Sequence, residues 1–302
     1  MKFKESLKNN DFILSTYGKV LKYLTLISPK LSTKVSYFIS KGMLPNLQSP
    51  TTIEEKLSWL KLNDYANNPL VIKCADKLAV RGYVTEVGYE DTLNELLNVY
   101  SDLDELKWNQ LPEQFALKWT VGSGGNFICP DKNSTNLDEI RKQLGDWKSQ
   151  WDQRKPYLIN GEMQYSHIEP KIILEKYLGS DRTPIDYKIY CFNGEPKAIL
   201  MIADRSSNIK GIFMSPEWTF ISNVSKYDSF SKIPEKPNTL EKMVKTASDL
   251  SKPFPFVRVD FYDGNEVPIF GEMTFTPAGG LSLATTEIEG VPMGDYLELN
   301  IE

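Results

Sequence analysis

Apolar residues recur along the chain in two rhythms, one helical and one alternating. Leu14, Tyr17, Leu21 and Leu24 fall at helical spacing with lysines between them, which predicts an amphipathic helix over residues 10–27 ended by Ser28-Pro29. A second helix is expected over about 31–42, followed by a Pro/Ser/Thr-rich loop. Thr52-Ile53-Glu54-Glu55 then has the form of a capping box, opening a helix that carries Leu57, Trp59, Leu60 and Leu62. Residues 138–155 read as a charged helix with Trp147 and Trp151 as an i, i+4 packing pair, and Thr239–Leu250 as another amphipathic helix. Between these lie β-branched and aromatic runs: Phe115–Thr120, a run from Phe127, Ile172–Leu178, Asp186–Phe192 with Ala198–Ala203 as its antiparallel partner, and the hairpin Phe256–Tyr262 with Val267–Phe275. A loop and a short terminal helix should close the chain. Helices mixed with antiparallel hairpins make the class α+β.

Alternation decides which side chains share a face. Arg258 and Asp260 lie on one face of the first hairpin strand, Glu272 and Thr274 on one face of the second, and Asp186, Lys188 and Tyr190 on one face of theirs. Two carboxylates converging beside an arginine suit Mg²⁺, which takes one or two carboxylates and completes its shell with water and phosphate oxygens. The same pattern also fits a solvated hairpin carrying an ion pair. Phe115-Ala116-Leu117-Lys118-Trp119-Thr120 leads into Val121 and the stretch Gly122-Ser123-Gly124-Gly125-Asn126. A lysine ahead of a glycine-rich loop can cradle phosphate with backbone N–H groups, and equally can be a hairpin turn. Lys77 and Arg81, read as i, i+4 neighbours on a helix, form a phosphate-facing edge or an exposed surface.

Composition narrows the chemistry. The 302 residues include one histidine, His167, read as structural, and three scattered cysteines, Cys74, Cys129 and Cys191, read as buried thiols. Ser-His and Cys-His nucleophile systems and His-based metal sites are therefore disfavoured, leaving carboxylates, lysines, arginines and amides. The net charge of −5 conceals a basic end: residues 1–45 hold eight lysines against Glu5 and Asp11. That end is either a solvated helix face or one that meets a membrane surface or an anionic glycan. No zinc-finger spacing, RNP box or basic aromatic stripe supports nucleic acid. With no spanning run and no leader-like apolar region, the cytoplasm is the expected location, with the inner membrane face open to the basic helix.

The ordered phrases PTTIEEKLSWLKL, CADKLAVRGYV, FALKWTVGSGGNFICPDK, PKIILEKYL, IDYKIYCFNGEPK, PFVRVDFY and FGEMTFTPAGG resemble the ATP-grasp superfamily, in particular its teichuronopeptide-biosynthesis (TupA-like) branch, over about residues 50–295. The resemblance implies an ATP-grasp fold, with a basic helical region at 1–50, a pre-ATP-grasp segment at 51–112, a small lobe at 113–178 and a large lobe at 179–302. It implies that Lys77, Arg81 and Lys118 contact ATP phosphates and that Gly122, Ser123, Gly124, Gly125 and Asn126 fold over them. Glu175, Lys176 and Leu178 would form the hinge whose backbone meets adenine, and Asp186 would hold the ribose. Lys188 would face the phosphates or acyl group, and Asp260, Glu272 and Thr274 would bind Mg²⁺, as two ions, or Mn²⁺. Arg258 would stabilise the transferred phosphoryl, Gly279 and Gly280 would offer amides to the oxyanion, and Arg205 would hold a substrate carboxylate or make a surface ion pair. Two departures stand out: Thr274 replaces a frequent Asn, and Val121 replaces the branch's His. The activity implied is a carboxylate-amine ligase joining an amine or amino acid to a uronic acid of a bacterial surface glycan or its precursor. A sugar phosphotransferase, a glycosyltransferase and a non-catalytic glycan-binding protein are the alternatives.

Overall fold

The computed structural model describes residues 11–179, 184–204, 208–264 and 266–301, with side chains from residue 15 onward. Arg205, Lys2, Lys4, Glu5 and Lys8 lie outside the described residues. Two helices, α1 (Asp11–Ile27) and α2 (Pro29–Lys41), form an antiparallel hairpin at the N-terminal end. Ser28 caps the second by accepting from Leu31 N–H at 3.2 Å, and Gly42 ends it in the left-handed conformation, φ 80°. The predicted capping box is present at α3 (Ile53–Leu60): Glu55 N–H donates to Thr52 Oγ1, and the Glu55 carboxylate accepts from Thr52 N–H. This helix continues into a π-helical turn at Lys61–Tyr65, a local irregularity that aims Lys61 inward.

The stretch read as one helix through Lys77 and Arg81 is two helices, α4 (Pro69–Ala75) and α5 (Val80–Glu86). Asp76 breaks it, because its carboxylate accepts from Leu78 N–H at 2.7 Å and Ala79 N–H at 3.3 Å, competing with helical bonding. Lys77 therefore sits in the turn and Arg81 on the next helix, and they do not share a face.

Four strands, β1 (Leu96–Tyr100), β2 (Phe115–Trp119), β3 (Asn126–Cys129) and β4 (Ile172–Lys176), form an antiparallel sheet in the order β1-β4-β2-β3. This sheet reaches upstream of residue 113 through β1. One face packs Phe115, Leu117, Trp119, Ile172 and Leu174 against Ile140 and Leu144 of α6 (Leu137–Arg154). Each such fully buried side chain contributes roughly 1.5–3 kcal/mol. Alternation turns Ala116, Lys118, Ile173 and Glu175 to the other face.

The larger sheet contains β5 (Asp186–Phe192), β6 (Glu195–Ala203), β7 (Lys210–Met214), β8 (Phe220–Asn223), β9 (Phe256–Tyr262) and β10 (Ile269–Thr274), in the order β10-β9-β5-β6-β7-β8. One face is covered by Met243, Ala247 and Leu250 of α8 (Leu240–Ser251); α7 (Pro156–Asn160) follows α6. Cys191 Sγ lies 3.8 Å from Ala247 O, so odd-numbered β5 residues face the helix and Lys188 and Tyr190 face the other way. All three cysteines are buried, as expected, and His167 is exposed. The terminal helix expected from the sequence is a 3-10 turn, Met293–Tyr296, after the short pair β11 (Glu287–Ile288) and β12 (Val291–Pro292).

Candidate active site

The register of three strands assembles a charged face. Asp260 stands opposite Glu272 on β10 and opposite Lys188 on β5, and Arg258 stands opposite Thr274 and Tyr190. A bulge at Gly271 keeps Glu272 on this face; a Cβ there would lie 3.1 Å from Asp260 O. Arg258 grips Asp260 with both ends of its fork, Nε to Oδ1 at 2.6 Å and Nη2 to Oδ2 at 2.7 Å. Lys188 donates to the same carboxylate and lies 3.7 Å from Asp186. Thr274 Oγ1 accepts from Arg258 Nη2 at 3.0 Å and donates to Glu272 Oε1 at 3.4 Å, so it orients the arginine as well as the glutamate. Glu272 completes the array with Arg258 Nη2 and Lys77 Nζ, each at 3.5 Å.

Burial and charge pull against each other here. Burial pushes the Glu272 carboxyl up, but Lys77, Lys188 and Arg258 outweigh it and hold the group down at about 2. Burial likewise works against the Arg258 charge, while Asp260 raises that guanidinium above its ordinary value. Because Glu272 titrates lower folded than unfolded, its stabilisation is complete above the unfolded carboxyl value of 4.5 and is lost as pH falls through about 2. Glu272→Gln should flatten the acid limb of stability between those values; urea midpoints measured across that range check it, and an unchanged limb counts against the assignment.

A second cluster occupies the face of the small sheet that turns away from α6. The buried Glu175 carboxylate lies 2.7 Å from Lys118 Nζ and 3.3 Å from Arg81 Nη1, and Arg81 Nη2 also donates to Asn94 O at 2.6 Å. The hinge expectation needs correcting. Glu175 is flanked by β1 and β2 within the sheet, so it contributes its side chain and not its backbone. Lys176 N–H donates to Glu95 O at 3.0 Å and its carbonyl accepts from Asn94, while Leu178 lies half-buried beyond the end of the strand.

Lys77 ties the glycine-rich loop to the hairpin cluster. Its N–H donates to Thr120 O at 2.9 Å, its ammonium donates to Gly122 O at 2.7 Å, and the same ammonium faces Glu272. The glycine-rich loop is seated on tryptophan: Trp147 Nε1 donates to Ser123 O at 3.0 Å. A Cβ at Gly122, where φ is +68°, would meet Trp151 at 2.6 Å, and one at Gly125 would meet Trp147 at 2.7 Å. Ser123, Gly124 and Asn126 are exposed, and Asn126 pairs with Lys118 across β2 and β3. Val121 is fully buried. Gly122→Ala should destabilise the protein by more than about 1 kcal/mol, since it adds a left-handed alanine to a steric clash. Thermal unfolding checks this; a midpoint equal to wild type would mean that the loop does not rest there.

Between the loop and the hairpin opens a cavity of about 570 Å³, lined by Lys77, Gly122 and Ser123 on one side and Arg258, Glu272 and Thr274 on another. Its remaining wall includes Trp147, Trp151, Tyr157 and Arg154. The tryptophans read as a packing pair do stack, at 5.3 Å, and Trp119 extends the stack at 5.5 Å. Several residues here gave no signal in the sequence. Lys61 is 2% exposed, and its ammonium donates to Asn160 O at 2.9 Å and Gly279 O at 2.8 Å. Burial lowers it to about 8, against an opposing pull from Glu162. Tyr165 lines the cavity, and Thr276 donates to Glu162 beside it. The oxyanion expectation for the glycines is not met at Gly279, whose N–H is spent on Thr276 O at 2.9 Å. Gly280 is buried against Leu57 and does not line the cavity.

The glycine-rich loop of the small sheet and the β9–β10 hairpin of the large sheet face one cavity, an arrangement that agrees with the ATP-grasp class. The chain belongs to the TupA-like ATP-grasp family, whose model matches residues 55–297. Among solved structures it is similar to D-alanine–D-alanine ligase from Bacillus anthracis complexed with ATP, at 15% identity, covering 67% of this chain and 54% of that one with a TM-score of 0.39. It is also similar to an L-amino acid ligase from Bacillus licheniformis, at 10% identity, covering 89% and 56% with a TM-score of 0.44. The chain thus spans about half the length of these proteins. No curated protein matches it.

Among the described residues no group of three or more His, Cys, Asp or Glu side chains could cage a metal, and Asp260 and Glu272 with the Thr274 hydroxyl are an oxygen-only set. Such a set fits Mg²⁺, which is commonly held by one or two carboxylates together with substrate phosphates. Both Asp260 oxygens face cations in this structure, Arg258 and Lys188.

Proposed function

We propose that this protein is an ATP- and Mg²⁺-dependent carboxylate-amine ligase acting on a uronic acid of a bacterial cell-surface polysaccharide or its precursor, with an amine or amino acid as the second substrate. The observation that carries the reading is the placement of Arg258, Glu272 and Thr274 in the wall of a cavity large enough for a sugar ring. In this reading Lys77, Lys118, Arg81 and the loop from Gly122 bind the triphosphate, Leu178 meets the base and Asp186 the ribose. Asp260 and Glu272, with Thr274, hold Mg²⁺, which neutralises phosphate charge when bound.

The γ-phosphoryl passes to the substrate carboxylate, ADP leaves, the amine attacks the acylphosphate carbon, and phosphate departs as the amide forms. No protein nucleophile is needed, because phosphoryl transfer depends on positioning and charge stabilisation. Arg258 and Lys188 supply that charge beside the acceptor. The faces of Trp147 are taken up by its stack with Trp119 and Trp151, so the tryptophans present ring edges to the cavity, and Arg154, exposed on the cavity wall, can pair with a uronate carboxylate.

Mass spectrometry after incubation with ATP, Mg²⁺ and pooled uronosides and amines tests this. The expected products are an amide, ADP and free phosphate. A stable phosphorylated sugar would replace the ligase by a phosphotransferase, and ATP turnover with no amide from any pair would count against the ligase.

A further inference from the structure

The first two helices lie outside the region that defines the family, since the match begins at residue 55. Their hairpin is seated on α7 and the last turn of α6: Thr25 Oγ1 donates to Leu158 O at 2.6 Å, and Lys22 Nζ donates to Gln153 O at 2.9 Å. Leu21 and Thr25 turn inward at 2% exposure, yet the outer side of α1 is also apolar. Val20 is 49% exposed, Tyr23 64%, Leu26 62% and Ile27 81%, and Leu31 at the start of α2 is 47% exposed. At 100° per residue, positions 20, 23 and 27 share one side of the helix and 26 adjoins it. Exposed Lys19 and Lys30 flank these side chains, and residues 11–45 carry five lysines against Asp11.

Large apolar side chains concentrated on one solvent face mark an interaction surface. Lysines bordering such a face are the pattern of a helix lying in a membrane interface. Among the described residues no helix is long and apolar enough to cross a membrane, so contact would be along the surface. From this we infer that the α1–α2 hairpin docks the protein onto a bilayer bearing anionic lipid headgroups. Charge complementarity selects that partner: a second copy would bring the same lysines against these, and a soluble polyanion has no use for Leu26 and Ile27. Pro156, Tyr157, Ile159 and Asn160 belong to or abut the helix under the hairpin and line the cavity. Docking therefore holds that wall beside the bilayer. This inference stands apart from the reaction chemistry.

Flotation of the full chain with phosphatidylcholine vesicles, with and without phosphatidylglycerol, tests it. The protein should float with the anionic vesicles and be released by salt. Lys19→Glu/Lys30→Glu should weaken partitioning by roughly tenfold or more. Leu26→Ser/Ile27→Ser should weaken it comparably, with the thermal midpoint unchanged because both side chains are exposed. Equal behaviour on neutral and anionic vesicles, wild-type flotation of the apolar variant, or a solution dimer that this variant splits would each overturn the inference.

Discussion

Asp260→Asn should remove about 3–5 kcal/mol of folding stability and abolish ATP turnover. Asp260 is 4% exposed, and its carboxylate is the shared partner of Arg258, held through two short hydrogen bonds, and of Lys188. Asparagine keeps the volume and removes the charge, leaving the largely buried Arg258 and Lys188 with only the more distant Glu272, at 3.5 Å, and Asp186, at 3.7 Å, as counter-charges. The cost is therefore that of two buried cations stripped of their nearest counter-charge, not of a cavity. Adding Lys188→Met should recover part of the loss, because one orphaned cation goes with it. Urea unfolding of the two single variants and the double variant measures this coupling. If Asp260→Asn unfolds at the wild-type midpoint, the charged array is not buried as described here.

Arg258→Lys is expected to fold and to turn over ATP about 10²–10³-fold more slowly, with a smaller change in KM for ATP. Lysine preserves the charge, but one ammonium cannot span Asp260 Oδ1, Asp260 Oδ2 and Thr274 Oγ1, which the guanidinium reaches together. Under the proposed function the loss falls on kcat, because a guanidinium that meets developing phosphoryl charge acts most strongly in the transition state. Steady-state rates with saturating ATP decide the matter. A kcat within a few-fold of wild type would reduce Arg258 to a structural partner of Asp260.

Much of this site is visible in local pattern. Strand alternation is a two-residue rule, so the common face of Arg258 and Asp260, and that of Lys188 and Tyr190, follow without knowledge of the fold. Register then had to bring three strands together, and it placed Asp260 between Lys188 and Glu272. The capping box of α3 and the Trp147–Trp151 stack were legible for the same reason, each involving residues within four positions of one another. Lys77 and Arg81 were misplaced because helical spacing alone does not register Asp76 as a capping side chain that ends one helix and admits another.

The sequence by itself determined the α+β class, the family, the cation and carboxylate inventory, and the strand faces that carry it. These depend on periodicity and ordered motifs, which are written in consecutive residues. Only the tertiary structure decided that Glu175 holds Lys118 and Arg81 through its side chain, that the glycine loop rests on Trp147 and Trp151, and that Gly279 presents its carbonyl to Lys61. Lys61 meets Gly279 across 218 residues of chain and Arg81 meets Glu175 across 94, so burial and partner are set by how the sheets and helices pack. No local rhythm marks a lone lysine in a helical turn for such a contact, because hydrophobic patterning records which face is covered and not what charge waits on the other side.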